Sequence, residues 1–283
     1  MHSFIDDPRL PDDVTVADLR ELAERLARAA GDLVRTGRPD RVEVASTKSS
    51  ATDVVTRMDA DSEALLRREI AAARPDDAVL GEEDGASSGT SGITWVVDPI
   101  DGTVNYLYGV ASYAVSVAAV VGAPDPQEWT VLAGAVHSVV DGRTWTAGLG
   151  GGATVDGRSL RVVEPTSLAQ CLVGTGFGYD ADRRRAQARV LVEVLPRVRD
   201  IRRLGSAAID LCLVASGELD LYYERGLNPW DMAAGGLVAQ EAGAVLTGLR
   251  ERAADHEMTV AGASGRVGEL VRLLEDVGAD ADE

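Results

Sequence analysis

The apolar positions of this chain change their period along its length, and the changes mark out its elements. From Thr15 to about Thr36, Val16, Leu19, Leu22, Ala23, Leu26, Ala30, Leu33 and Val34 recur at helical spacing. Thr15, followed three residues on by Asp18, resembles a capping box and sets the helix start. Residues 41–58 read as mostly extended. A second helix is expected from about Asp59, its candidate N-cap, to about Ala73, with Pro75 beyond it. Ala78-Val79-Leu80 reads as a short strand ending in Gly81-Glu82-Glu83, and the Gly- and Ser-rich stretch 85–92 as a flexible loop. Residues 111–121 form a valine-rich apolar run. Strands over 131–140 and 143–147 join at Asp141-Gly142, and a second Asp-Gly at 156–157 predicts another hairpin. The first half therefore reads as two helices on an antiparallel sheet.

Beyond Pro165 the rhythm alternates. Strands are expected near 171–175, 200–204, 219–223, 244–247 and 258–261, and helices near 185–197, 206–216, 231–242 and 265–277. This pattern indicates a mainly parallel or mixed sheet between helices. The glycine clusters at 148–152 and 174–178 lack a full dinucleotide-loop pattern and read as turns. The expected organisation is a loose arm (1–14), an α+β lobe (15–164), an α/β lobe (165–277) and an acidic, disordered tail (278–283).

Composition narrows the function. A chain of 283 residues can bury a large core. Its net charge of −18 argues against direct nucleic-acid binding. It does not exclude a phosphorylated substrate, because a bound cation reverses the local sign. No apolar run approaches the roughly 18 residues that span a membrane. Residues 1–13 carry four Asp and no signal-peptide pattern, and Cys171 and Cys212 sit in apolar surroundings as core residues do. A cytoplasmic enzyme fits these features. Of 28 basic residues only Lys48 is lysine, which singles it out.

The candidate chemistry centres on Trp95-Val-Val-Asp-Pro-Ile-Asp-Gly-Thr-Val-Asn105. Three apolar residues run as a buried strand into Asp98, and Pro99 forces a turn. Asp101-Gly102-Thr103 has the form of a helix N-terminus, whose unpaired N–H groups favour anions. Two carboxylates, the Ile100 carbonyl and an anion pocket then converge, as a Mg2+ ion shared with a phosphate requires. Taken alone, the hexapeptide equally describes a strand end, a turn and a cap with no ligand.

Lys48-Ser-Ser, Val55-Thr56-x-x-Asp59, Gly81-Glu82-Glu83, Asp98-Pro-Ile-Asp-Gly-Thr103 and Trp230-Asp231-x-Ala-Ala-Gly235, in this order and spacing, resemble the inositol monophosphatase family of metal-dependent phosphatases. The resemblance runs from about Leu19 to Gly262 and implies a layered αβαβα sandwich. It implies Mg2+ ligands at Glu82, Asp98, Asp101, Asp231 and the Ile100 carbonyl, with two or three Mg2+ per active site; Glu83 is a lesser candidate. It matches Thr103 and Asp59 to the pair that activates water, with Glu82 beside them. Gly102 and Thr103 match phosphate contacts, and Ala207 and Glu224 match substrate contacts. Lys48 and Ser206 are further candidates. Tyr106 stands where the family often has Phe, and Asn105 fits the inositol-phosphatase pattern. Four such carboxylates would repel one another strongly without cations. The resemblance also implies a homodimer and lithium sensitivity.

The expected function is Mg2+-dependent hydrolysis of myo-inositol 1-phosphate or a close polyol phosphate. Fructose bisphosphate, histidinol phosphate or a nucleotide 3′-phosphate are rival substrates. A regulatory or interaction protein on the same scaffold is the rival from another class. His2, His137 and His256 are all remote from these motifs in sequence, which argues against a histidine-dependent phosphatase.

Overall fold

The computed structural model describes residues 14–48 and 53–281. Most of the expected N-terminal arm, His2, Ser49 and Ser50 of the lysine motif, and the last two residues lie outside the described residues. The chain folds in the order α1 (Val16–Thr36), β1 (Val44–Thr47), β2 (Val54–Thr56), α2 (Arg57–Ala73), β3 (Ala78–Gly81), β4 (Gly85–Ser87), β5 (Ile93–Asp101), α3 (Thr103–Tyr108), β6 (Ala114–Val121), β7 (Thr130–Ser138), β8 (Thr144–Gly148), β9 (Gly152–Val155) and β10 (Arg158–Ser159). It continues with β11 (Leu172–Thr175), α4 (Ala181–Val194), β12 (Asp200–Arg202), α5 (Ala207–Ser216), β13 (Leu221–Glu224), α6 (Pro229–Glu241), β14 (Val245–Thr247), β15 (Thr259–Gly262) and α7 (Ser264–Asp276).

Three apolar clusters define an αβαβα sandwich. The first lies between α1, α2 and one face of an eight-stranded sheet ordered β10-β9-β8-β7-β6-β5-β3-β4. The second fills the space between that sheet's other face, α5 and α6, and a five-stranded sheet ordered β12-β11-β13-β15-β14. The third packs α4 and α7 on the outer face of the five-stranded sheet. The large sheet is buried on both faces, so its central strands are continuously apolar instead of alternating. In β5, Trp95 and Val97 join the first cluster and Val96 the second. The one polar residue inside β6, Ser116, faces the start of α6 and donates to the Trp230 carbonyl at 3.1 Å.

The large sheet is antiparallel except where β3 runs parallel to β5, and the small sheet is mixed. Several boundaries differ from the sequence expectations, each for a local reason. Part of the presumed loop 85–92 is β4, paired with β3 as a sheet edge. Backbone ladder bonds there outweigh the loop-like composition. The first Asp-Gly hairpin spans residues 139–143, longer than a two-residue turn, while Asp156 and Gly157, both at positive φ, form the expected tight one. The described part of the expected disordered tail, residues 278–281, is packed: Ala279 is buried in the third cluster and Asp280 ion-pairs with Arg250.

Candidate active site

Two features of β5 and its neighbour set the site. Asp98 and Asp101, three residues apart, would face opposite sides of a regular strand. The strand does not end at Pro99 as expected. It continues to Asp101 through a bulge, in which Asp98 pairs with Ser116 and Asp101 with Ala114. The extra residue brings both carboxylates to the same side, and Pro99 is tolerated because the ladder is interrupted there. The parallel pairing of Gly81 with Val97 then carries Glu82, the next residue of the β3 chain, alongside Asp98.

The remaining groups arrive from helix starts. α2 is capped by Thr56, three residues before the expected Asp59. Asp59 is the acidic partner of a capping box, accepting from the Thr56 N–H at 2.9 Å and from the Thr56 hydroxyl. Its other oxygen accepts from the Thr103 hydroxyl at 2.9 Å. α6 repeats this device. Asn228 is the cap, and Asp231 accepts from its N–H at 2.7 Å. Ser206, the cap of α5, donates to Asp101 at 2.6 Å, and the Ala208 N–H donates to the same oxygen at 2.7 Å.

Asp98, Asp101 and Asp231 each bring a carboxylate oxygen to within 4.8 Å of the others. Each of the four candidate ligand carboxylates is gripped through one oxygen. Asp98 accepts from the Ile100 N–H at 2.9 Å, Asp101 from α5, Asp231 from Asn228, and Glu82 from Lys48 Nζ at 2.7 Å. Orientation is thereby fixed, and the second oxygen is left outside these bonds. Lys48 also donates to Glu83 at 2.7 Å. The chain's only lysine thus neutralises the outer edge of the cluster.

Burial pushes Asp98 and Asp231 well above the usual carboxylate range, and their acidic neighbours add to it. Glu82 rises to about 7, through burial opposed by Lys48. Asp101 rises to about 6, burial again leading and the bonds from Ser206 and Ala208 opposing. Asp59 is raised by burial against the pull of the Thr56 and Thr103 donors. Burial alone would lower the Lys48 ammonium, but Glu82 and Glu83 turn the net shift upward. A buried set of hard oxygens that resist ionisation together fits a divalent cation such as Mg2+.

These groups open into a cavity of about 550 Å3. Gly102, at φ +97, caps the short helix α3, and both Gly102 and Thr103 line the cavity. Ala207 and Glu224 line it as well, and Glu224 accepts from the Tyr222 hydroxyl at 2.6 Å. Burial lifts the Glu224 carboxyl to about 7. Gly176 packs against it so closely that a Cβ would sit 1.9 Å from the carboxylate. Ser206 is buried and committed to Asp101. Asn105 ties α3 to the carbonyls of Ser112 and Leu204, at 2.7 Å each.

The sequence reading missed three residues that line the cavity. Arg183, Arg203 and His256 all line it, although His256 is far from every motif in sequence. His256 Nδ1 lies 3.2 Å from the Leu227 carbonyl and Nε2 lies 3.4 Å from Arg183. Only the pairing of β13 with β15 brings that loop beside Glu224, and no short motif announces it. Remoteness in sequence therefore did not keep His256 away from the cavity. His137 is buried in β7 against Thr144.

Comparison with known proteins shows which family has this sequence and fold. The model of the inositol monophosphatase family matches residues 15–278. The inositol-1-monophosphatase SuhB of Mycobacterium tuberculosis is 44% identical over 92% of this chain and 94% of its own length. A Pasteurella multocida protein named Nus factor SuhB is 36% identical, covering 80% of this chain and 83% of its own. Among solved structures, Mycobacterium tuberculosis SuhB superposes with a TM-score of 0.80 at 42% identity, over 95% of this chain and all of that one. The Thermotoga maritima IMPase gives 0.80 at 30% identity, over 93% of this chain and 99% of its own. On its fold, its acidic centre and these likenesses, the chain belongs to the inositol monophosphatase family, a family of metal-dependent phosphatases.

Proposed function

We propose that this protein hydrolyses myo-inositol 1-phosphate, or a close polyol phosphate, to the free polyol and phosphate. The observation that carries the proposal is the convergence of Asp98, Asp101 and Asp231 within 4.8 Å, in a cavity also lined by Glu82, Ala207 and Glu224. Glu82, Asp98 and the Ile100 carbonyl would hold one Mg2+, and Asp98, Asp101 and Asp231 a second. When bound, Mg2+ supplies a Lewis acid for the phosphoryl oxygens and makes water a stronger acid.

The chain's own groups do the rest. The Thr103 hydroxyl faces both Asp59 and the Ile100 carbonyl, at 2.9 and 3.1 Å. Its single hydrogen goes to the carboxylate, the stronger acceptor, which turns an oxygen lone pair toward an attacking water. Asp59, raised by burial, is suited to take up a proton through Thr103. The N–H groups of Gly102 and Thr103, at the start of α3, would receive phosphate oxygens. Glu224 would accept from polyol hydroxyls, and the small Ala207 leaves them room. The chain would work as two lobes, 15–164 supplying most ligands and 165–277 closing the cavity. A cytoplasmic homodimer, inhibited by lithium competing for the Mg2+ ligands, completes this reading.

Relatives named Nus factor support a second reading, an interaction role on the same scaffold. Phosphate release from a panel of inositol, sugar and nucleotide phosphates, with Mg2+ and with chelator, separates the readings. Mg2+-dependent preference for inositol 1-phosphate is expected. Preference for another phosphate would change the substrate, and no release from any would overturn the catalytic reading.

A further inference from the structure

The face of α2 that carries Asp59 carries two more buried polar residues, Ser62 and Glu63, and each grips a different segment of the site. Ser62 donates to the Pro99 carbonyl at 3.2 Å, inside the β5 bulge. Glu63 is fully buried, and its two oxygens accept from the N–H groups of Glu83 at 2.8 Å and Asp84 at 3.0 Å. Arg67, one turn further on, donates to Glu63 at 2.8 Å and to the Gly85 carbonyl at 2.5 Å. The Glu63–Arg67 pair therefore holds three consecutive backbone groups just after Glu82. Gly81, just before Glu82, completes the clamp. It does not occupy the left-handed region; a Cβ there would lie 2.2 Å from the Glu63 carboxylate. Glycine is needed at this point for close approach.

We propose that Glu63 is a positioning residue for the active site: its carboxylate clamps the Gly81–Asp84 turn and so fixes Glu82 beside Asp98. A fully buried carboxylate must have its charge met by donors, and Glu63 meets it with two main-chain N–H groups of this turn and with Arg67. Three grips from one helix face would set Asp59, the bulge and the Glu82 turn in one register. The inference rests on the proposed Mg2+ site. Outer groups that orient a metal ligand typically change metal affinity by roughly 10- to 100-fold when removed.

The test is Mg2+ binding by calorimetry to the full-length protein, alongside phosphate release at rising Mg2+, for wild type, Glu63→Gln, Gly81→Ala and Asp98→Asn. Glu63→Gln replaces one acceptor oxygen with a donor, and Gly81→Ala disturbs the same contact from the other side. Both should weaken Mg2+ binding on the order of tenfold or more, with excess Mg2+ restoring most of kcat and KM little changed. If Glu63→Gln does not fold, Gly81→Ala carries the test. Wild-type Mg2+ affinity in the folded variants, with only a lowered melting temperature, would overturn the positioning role. Wild-type Mg2+ affinity in Asp98→Asn would instead overturn the metal site itself.

Discussion

At the scale of single residues, the site works by holding each of the four candidate ligand carboxylates through one oxygen. Asp98 sits among acidic neighbours, with Glu82, Asp101 and Asp231 all raising its pKa after burial. Thr103 joins Asp59 to the cavity. Thr103→Ala should lower kcat on the order of 10²-fold, the scale of positioned proton transfer, while KM changes only a few-fold. Steady-state kinetics at saturating Mg2+ checks this, and an effect confined to KM would contradict the water-orienting role. Many of these residues were legible in the sequence, because Asp98, Asp101 and Thr103 lie within one short stretch. Arg183, Arg203 and His256 were not, because they share the cavity only through pairings of distant strands.

At the scale of elements, two helix starts and one bulge do the placing. α2 and α6 each present a capping-box acid, Asp59 and Asp231, so one carboxylate both closes a helix and faces the site. Asn228→Ala removes the side-chain acceptor at the start of α6 while the main-chain bond to Asp231 remains. It should cost about 1 kcal/mol of stability, read from denaturant unfolding, with kcat reduced by less than about tenfold. A loss of activity as complete as that of a ligand variant would show that the cap places Asp231 directly. The Thr56-x-x-Asp59 and Asn228-x-x-Asp231 spacings were present in the sequence, yet the helix starts were placed at the acids themselves. The pattern of apolar residues begins there, whereas the cap is fixed by a polar bond three residues earlier. The β5 bulge left no sequence signal beyond Pro99, because it depends on the register with β6.

At the scale of the whole molecule, the sandwich keeps an acidic cluster buried at a cost that depends on pH. Glu82 rises from 4.5 to about 7 and Asp101 from 3.8 to about 6. A raised carboxylate pKa means that the folded state binds more protons than the unfolded state between the two values. Stability of the metal-free protein therefore falls as pH rises from about 4 to about 7. In chelator, the melting temperature should drop across that window; added Mg2+ should raise it and flatten the slope by replacing the protons. A melting temperature that climbs with pH in chelator, or ignores Mg2+, would contradict a strained metal-binding cluster. Helices on an antiparallel sheet, followed by a mixed sheet between helices, were readable from the two rhythms of the chain, since those patterns are local; the layering of the two was implied only by the family resemblance. The packing of residues 279 and 280 was not readable, because the acidic composition there hides the burial of Ala279 and the Asp280–Arg250 pair.

The central claim is that hydrolysis takes place at the carboxylate cluster around Asp98. Its most direct test is phosphate release from inositol 1-phosphate by wild type and Asp98→Asn, both titrated with Mg2+ and checked for native folding by circular dichroism. Wild-type release should vanish in chelator and rise with Mg2+. Asp98→Asn, with the fold intact, should remain at least roughly 10³-fold slower at every concentration. Turnover close to wild type in that variant would show that the chemistry lies elsewhere.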